Sequence, residues 1–230
     1  MSEYIGDELG IFKHATNWKS YYGRKIAPYL GARVLEVGAG IGANTKLFCT
    51  AKNQHWICLE PDPKLAHEIE VHVRQGVLPQ TCKVVAGTLE TFPLDPSYDT
   101  VIYVDVLEHI ENDAAEVRRA LEYLKPGGYL VVLGPAHQSL FSPFDASIGH
   151  YRRYSRKNLV PIVPARLISA RYLDSVGMIL SLSNRLLLKQ KMPTLKQIQF
   201  WDKKVVPIST FLDPLFGYQL GKSILGVWQK

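Results

Sequence analysis

Apolar residues along this chain follow two patterns. Short apolar runs at 33–37, 55–60, 82–86, 98–104 and 129–133 have the length and content of buried strands. Between them apolar positions recur at helical spacing. Leu65, Ile69 and Val73 mark a helix from Pro61 and Pro63 to about Gln75. Val117, Leu121 and Leu124 mark another from Glu111 to Leu124, ended by Lys125-Pro126-Gly127-Gly128. A further helix is expected over 43–51. An amphipathic one precedes the first strand, where Trp18, Tyr21, Tyr22, Ile26 and Tyr29 recur until Pro28 and Gly31 stop the pattern. Alternation of strand and helix predicts an α/β fold, a mostly parallel sheet with helices on both faces.

Beyond Gly134 the pattern changes. Pro135 to Asp145 shows no period. Gly149-His150-Tyr151-Arg152-Arg153-Tyr154 follows, then Ser155, an N-cap for a short helix stopped at Pro161. Residues 166–173 and 222–228 read as the sixth and seventh strands. Asp174 to Gly221 lies between them, far too long for a hairpin turn. In this stretch Met178 to Leu188 is helical and very apolar, Lys189 to Pro193 breaks it, and aromatic and aliphatic residues follow among Lys203, Lys204 and prolines. Three readings are open: a helical insertion packed on the domain, a lid over a substrate, or a surface that touches a membrane or a second copy of the chain.

Composition narrows this only a little. At 230 residues, with 47% hydrophobic and 21% charged content, the chain suits one soluble domain. A net charge of +6 permits acidic partners without requiring them. Cys49, Cys58 and Cys82 form no C-x-x-C pair and sit in or beside apolar segments, which suggests reduced thiols and a cytoplasmic location. Met1 to Gly10 does not read as a signal peptide, and no apolar run is long enough to span a bilayer.

The chemistry centres on Val34-Leu35-Glu36-Val37-Gly38-Ala39-Gly40-Ile41-Gly42-Ala43-Asn44-Thr45: strand, glycine turn, helix. Glycines let a ligand lie against the backbone. The G-x-G-x-G spacing departs from G-x-G-x-x-G, and Glu36, two places before the first glycine, would repel a pyrophosphate. Both features disfavour a dehydrogenase. A sulfonium cofactor fits better. Glu60 ends the second strand about twenty residues on, where a carboxylate accepts ribose hydroxyls. Together these stretches resemble the class I S-adenosylmethionine-dependent methyltransferases, from about Val34 to Leu133. Val106-Leu107-Glu108-His109 is a frequent signature of the small-molecule members, and the Pro135-Ala136-His137 to Tyr154 stretch is similar to a bacterial branch of them.

The resemblance implies a Rossmann-like seven-stranded sheet, with the seventh strand antiparallel between the fifth and sixth and a helical insertion before it. It implies one domain over 1–230: an N-terminal helical lid (1–30), a cofactor-binding core (31–134), a substrate loop and short helix (135–165) and the insertion (174–221). S-adenosyl-L-methionine would lie on Trp18, Tyr22, Glu36, Gly38, Ala39, Gly40, Asn44, Thr45, Glu60, Pro61, Gly87, Thr88, Leu89, Asp105 and Val106. Gly87 and Thr88 stand where many members carry an acidic residue for the adenine amino group. Glu36 is expected to orient the lid or the glycine-turn amides.

Methyl transfer is an in-line displacement from the sulfonium. A hydroxyl or an ammonium acceptor needs a base, and His109, His137 and His150 are the candidates because histidine titrates near neutrality, with Asp105 and Asp145 as alternatives. Tyr21, Phe141, Asp145, Tyr151, Arg152 and Arg153 are candidates for binding a small-molecule acceptor, methylated on nitrogen or oxygen. No metal site is expected, since His137, His150 and Asp145 lack the spacing of a ligand set. No nucleic-acid partner is expected either, because the basic pairs are scattered and no N-P-P-Y-type tetrapeptide follows the fourth strand. The alternatives are a non-catalytic cofactor-binding relative and an RNA or protein methyltransferase.

Overall fold

The structure, a computed structural model, describes residues 9–50, 52–183 and 192–230. Its strands are β1 (Arg33–Val37), β2 (His55–Glu60), β3 (Cys82–Ala86), β4 (Tyr98–Val104), β5 (Leu124–Pro135), β6 (Arg166–Leu173) and β7 (Ser223–Gln229). They form one seven-stranded sheet in the order β3-β2-β1-β4-β5-β7-β6. β1 to β5 pair in parallel, and β7 runs antiparallel between β5 and β6. This is the expected Rossmann-like arrangement.

Both faces of the sheet are buried, and strand side chains alternate between two apolar layers. Val34, Trp56, Ile102 and Val131 join one layer; Leu35, Ile57, Val101 and Leu130 join the other. A period of two with apolar residues on both sides reads as a continuous apolar run, which is why the sequence marked these strands. The helices are α1 (Leu9–Phe12), α2 (Thr16–Ile26), α3 (Ala43–Phe48), α4 (Pro63–Arg74), α5 (Asp113–Tyr123), α6 (Pro143–Ser147), α7 (Arg156–Leu159), α8 (Ser175–Ser183), α9 (Leu195–Phe200) and α10 (Val206–Leu215). Asp62 caps α4 by accepting from the amides of Lys64 (2.8 Å) and Leu65 (3.4 Å).

Some boundaries differ from expectation. α3 is shorter than 43–51 because Cys49 turns extended. β5 is longer than 129–133: the residues expected only to end α5 enter the sheet, Leu124 pairing with Tyr98 and the Gly127 amide donating to the Lys230 carbonyl. The expected helix Met178–Leu188 begins at Ser175, and its part past Ser183, with Lys189 to Lys191, lies outside the described residues. The unperiodic stretch after Gly134 contains α6, opened by a reciprocal cap between Ser142 and Asp145. Among the described residues no helix is long and apolar enough to cross a membrane.

The chain winds outward from β1 through β2 to β3, then returns to place β4 on the other side of β1. The loops after β1 and β4 therefore diverge at a topological switch point, where open α/β sheets form their crevice.

Candidate active site

A cavity of about 1360 Å³ opens at that switch point. The glycine turn after β1 forms its floor. Gly38 and Gly40 have φ of 68° and 58°, a region that favours glycine. A Cβ on Gly38 would lie 2.6 Å from a Val106 methyl, so the loops after β1 and β4 touch here. The Glu60 carboxylate holds the turn, accepting from the amides of Gly40 (2.7 Å) and Asp62 (2.9 Å). Burial raises its pKa above the usual carboxylate range. Gly87, Thr88 and Leu89 after β3, and Asp105 and Val106 after β4, continue the wall. From above, α2 contributes Trp18, Lys19 and Tyr22, and the Tyr22 hydroxyl donates to Asn44 Oδ1 at 2.6 Å.

The other half of the cavity has different chemistry. Glu108, His109 and His150 line it, with the two imidazole centroids 4.6 Å apart. His150 Nδ1 lies 2.9 Å from Asp145 Oδ1, and Arg153 binds both Asp145 oxygens at 2.8 and 2.9 Å. Burial pushes the Asp145 pKa up, but the hydrogen bonds from His150 and Arg153 outweigh it and hold it well below the usual range. Burial, with the neighbouring His150, pushes His109 down to about 4, so it is neutral at pH 7. Burial, with the charge of Asp105 added, pushes Glu108 well above the ordinary carboxylate value. Lys222 lies 3.7 Å over the Trp201 ring and 3.6 Å from Asp174, and Lys13, Lys19 and Lys196 also line the cavity. Burial lowers the pKa of Lys19 and of Lys222.

The sequence profile of the methyltransferase domain matches residues 16–175. The chain belongs to the methyltransferase-domain family. It is 30% identical over 161 residues to a demethylmenaquinone methyltransferase of Tropheryma whipplei, covering 69% of this chain and 62% of that one. It is 31% identical over 122 residues to a tRNA U34 carboxymethyltransferase of Syntrophotalea carbinolica, covering 51% and 38%. The chain thus spans less than two thirds of either relative. A solved S-adenosylmethionine-dependent methyltransferase from Archaeoglobus fulgidus superposes with a TM-score of 0.64 at 18% identity, covering 97% of each chain, which speaks to the fold alone.

Within the methyltransferase domain, most residues expected at the cofactor do border the cavity: Trp18, Tyr22, Gly38, Ala39, Gly40, Asn44, Glu60, Pro61, Gly87, Thr88, Leu89, Asp105 and Val106. Glu36 and Thr45 do not. The Glu36 carboxylate points beneath α3, where one oxygen accepts from Thr45 Oγ1 (2.6 Å) and Trp56 Nε1 (2.8 Å). It fixes the strand-to-helix passage from within rather than reaching the lid or the turn amides. Of the expected bases, His109 and His150 face the cavity and His137 does not. His137 adopts φ 62° and stacks on Tyr172, ring centroids 4.6 Å apart.

Of the expected acceptor-binding residues, Tyr151 and Arg153 border the cavity. Tyr21, Phe141, Asp145 and Arg152 do not. Tyr21 donates to Asp213 at 2.7 Å, and Arg152 pairs with Asp113 at 2.6 Å. Asp145 is fully buried behind His150. The sequence reading missed Glu108 and Lys222: Glu108 stood inside a recognised motif, while Lys222 carries no local signal. Lys19 lies on the lid helix expected over 1–30.

Glu36 makes a pH prediction. Burial raises its pKa to about 7 against its two hydrogen bonds. The unfolded chain loses this proton near pH 4.3, so the folded state holds it over a window in which the unfolded state does not. Stability present below that window is lost as pH rises through about 7. Both hydrogen bonds go to a single oxygen, so Glu36→Gln retains them. Urea unfolding at pH 5 and pH 8 should show wild type losing up to about 3 kcal/mol relative to the variant. Parallel curves at the two pH values would show that Glu36 does not titrate in this way.

Proposed function

We propose that this chain transfers the methyl group of S-adenosyl-L-methionine to an oxygen or nitrogen of a small molecule, releasing S-adenosyl-L-homocysteine. The observation that carries this is one continuous cavity, with the glycine turn and Glu60 at one end and the His109–His150 pair at the other. Glu60 offers its remaining carboxylate lone pairs to the ribose hydroxyls. Gly87 to Leu89 take the adenine, and Trp18 and Tyr22 close over the methionine end. The acceptor's hydroxyl or amine meets the imidazole pair, with Asp145 fixing the orientation of His150.

Cations and acids both border the cavity, Lys13, Lys19, Lys196, Lys222 and Arg153 with Asp105, Glu108 and Glu116, which supports an acceptor with polar groups near its methylated atom. Leu9, Phe12, Leu140, Phe144 and Phe200 border the same cavity and support an apolar remainder. The insertion supports delivery of that acceptor from an anionic membrane surface. Its three acids, Asp174, Asp202 and Asp213, are all buried, while Lys196, Lys203 and Lys204 are exposed beside exposed Ile208, Phe211 and Leu215 on α10. Cys49, Cys58 and Cys82 are buried free thiols, which supports a cytoplasmic compartment.

Labelled S-adenosylmethionine tests the acceptor class. Amphiphilic hydroxyl and amine acceptors in vesicles with anionic lipid should take up label, faster than in neutral vesicles. Label entering transfer RNA instead would favour the RNA reading.

A further inference from the structure

We propose that Glu108, His109 and His150 form a binding site for one divalent transition-metal ion at the acceptor end of the cavity; this deepens the methyl-transfer reading and rests on it. Each residue offers one ligand atom, and the three atoms lie within 4.8 Å of one another. Glu108 is the second observation that points to a ligand. It is fully buried, and among the described residues neither carboxylate oxygen has a hydrogen-bond partner. His150 Nε2 lies 3.8 Å from one of them, too far for a hydrogen bond. A carboxylate buried without partners costs several kcal/mol unless it is neutralised or coordinates a cation.

The two imidazoles are prepared in the manner of metal ligands. His150 gives Nδ1 to Asp145, which leaves Nε2 directed at Glu108. His109 is hydrogen-bonded to the backbone of Gly149 and Ile148. Ligating histidines usually have the other ring nitrogen held by a carboxylate or carbonyl in this way. Arg153 in turn fixes Asp145 and contributes to neither imidazole directly.

Ligand chemistry selects the ion. Two nitrogens and one oxygen suit zinc, manganese, iron or cobalt, whereas magnesium and calcium prefer oxygen sets. Three protein ligands leave coordination positions open toward the cavity, where an acceptor hydroxyl fits. With that oxygen on the cation its proton leaves to water more readily. The oxygen lone pair then forms the new C–O bond, the C–S bond breaks, and its electron pair stays on the sulfur of S-adenosylhomocysteine.

The test is titration of the purified chain with Co²⁺, read by visible absorption. One equivalent should bind to wild type and at least tenfold more weakly to Glu108→Gln, with His67→Ala, on the exposed face of α4, unchanged. Thermal melts guard against misfolding. Without metal, Glu108→Gln should melt no lower than wild type, because it removes an unpaired buried carboxylate; added Zn²⁺ should raise the melting temperature of wild type only. No stoichiometric Co²⁺ uptake by wild type, or equal uptake by Glu108→Gln, would overturn the site. S-adenosylhomocysteine titrated into the same samples separates the two claims. Cofactor binding without metal binding removes the metal site and leaves methyl transfer standing. Metal binding without cofactor binding keeps the site and removes the methyl-transfer reading.

Discussion

Asp145→Ala should lower the unfolding free energy by about 3–5 kcal/mol at pH 7, the cost of leaving a buried ion without its partner. Arg153 is only 8% exposed, and its guanidinium is held by both oxygens of Asp145 at 2.8 and 2.9 Å. The same carboxylate accepts from the Ser142 amide at 2.8 Å and holds His150 at 2.9 Å. The substitution therefore strips one cation, one helix cap and one imidazole of their partner together. Asp145→Asn should cost less, since it retains an acceptor oxygen. The sign with pH is fixed: a carboxylate held well below its ordinary pKa stabilises the fold above about pH 4 and loses that contribution as pH falls. The difference between wild type and variant should shrink on acidification, as read by urea unfolding. A difference below about 1 kcal/mol at pH 7 would show that Arg153 finds another partner or water.

Asp213→Ala should cost a similar amount, about 3–5 kcal/mol, by a different route. Asp213 accepts from the Tyr21 hydroxyl (2.7 Å) and from the amides of Asp174 (2.7 Å) and Ser175 (3.0 Å). Removing it leaves three buried donors unsatisfied, each worth about 1–3 kcal/mol. These donors belong to α2 and to the start of α8, so the substitution loosens the N-terminal helix and the insertion together. Asp174 continues the network, accepting from Trp201 Nε1 at 2.7 Å and Ser209 Oγ at 2.6 Å. Asp202 closes it by accepting from the amides of Asn17 (3.2 Å) and Trp18 (2.9 Å) at the start of α2. Tyr21→Phe removes one donor along with its bond and should cost only about 1 kcal/mol in the same urea unfolding series. Equal losses for Tyr21→Phe and Asp213→Ala would mean that the two amides bond elsewhere.

These networks mark where sequence reading ends. β1, β2 and β4 were legible because burial on both faces writes an uninterrupted apolar run into the chain. The glycine turn and Glu60 were legible because their spacing is local. Tyr21 and Tyr22 were not separable by residue type. On a helix they point about 100° apart, and that rotation sends Tyr22 to the cavity and Tyr21 to Asp213, 192 residues away. Asp174, Asp202 and Asp213 look like ordinary surface acids in the sequence, and only the tertiary fold buries them. The placement of His137 was illegible for the same reason. Its left-handed backbone turns the ring onto Tyr172, a partner no spacing rule could name. Glu108 lay inside a motif that the sequence singles out, but a motif does not report that both of its carboxylate oxygens lack hydrogen-bond partners among the described residues.

The central claim is a cofactor site built on the glycine turn and Glu60. Calorimetric titration with S-adenosylhomocysteine tests it most directly, on wild type and on Glu60→Ala. The account predicts micromolar binding to wild type, weakened at least tenfold, about 1.4 kcal/mol, in the variant. Wild type that binds no S-adenosylhomocysteine, or a variant that binds it equally well, would contradict it.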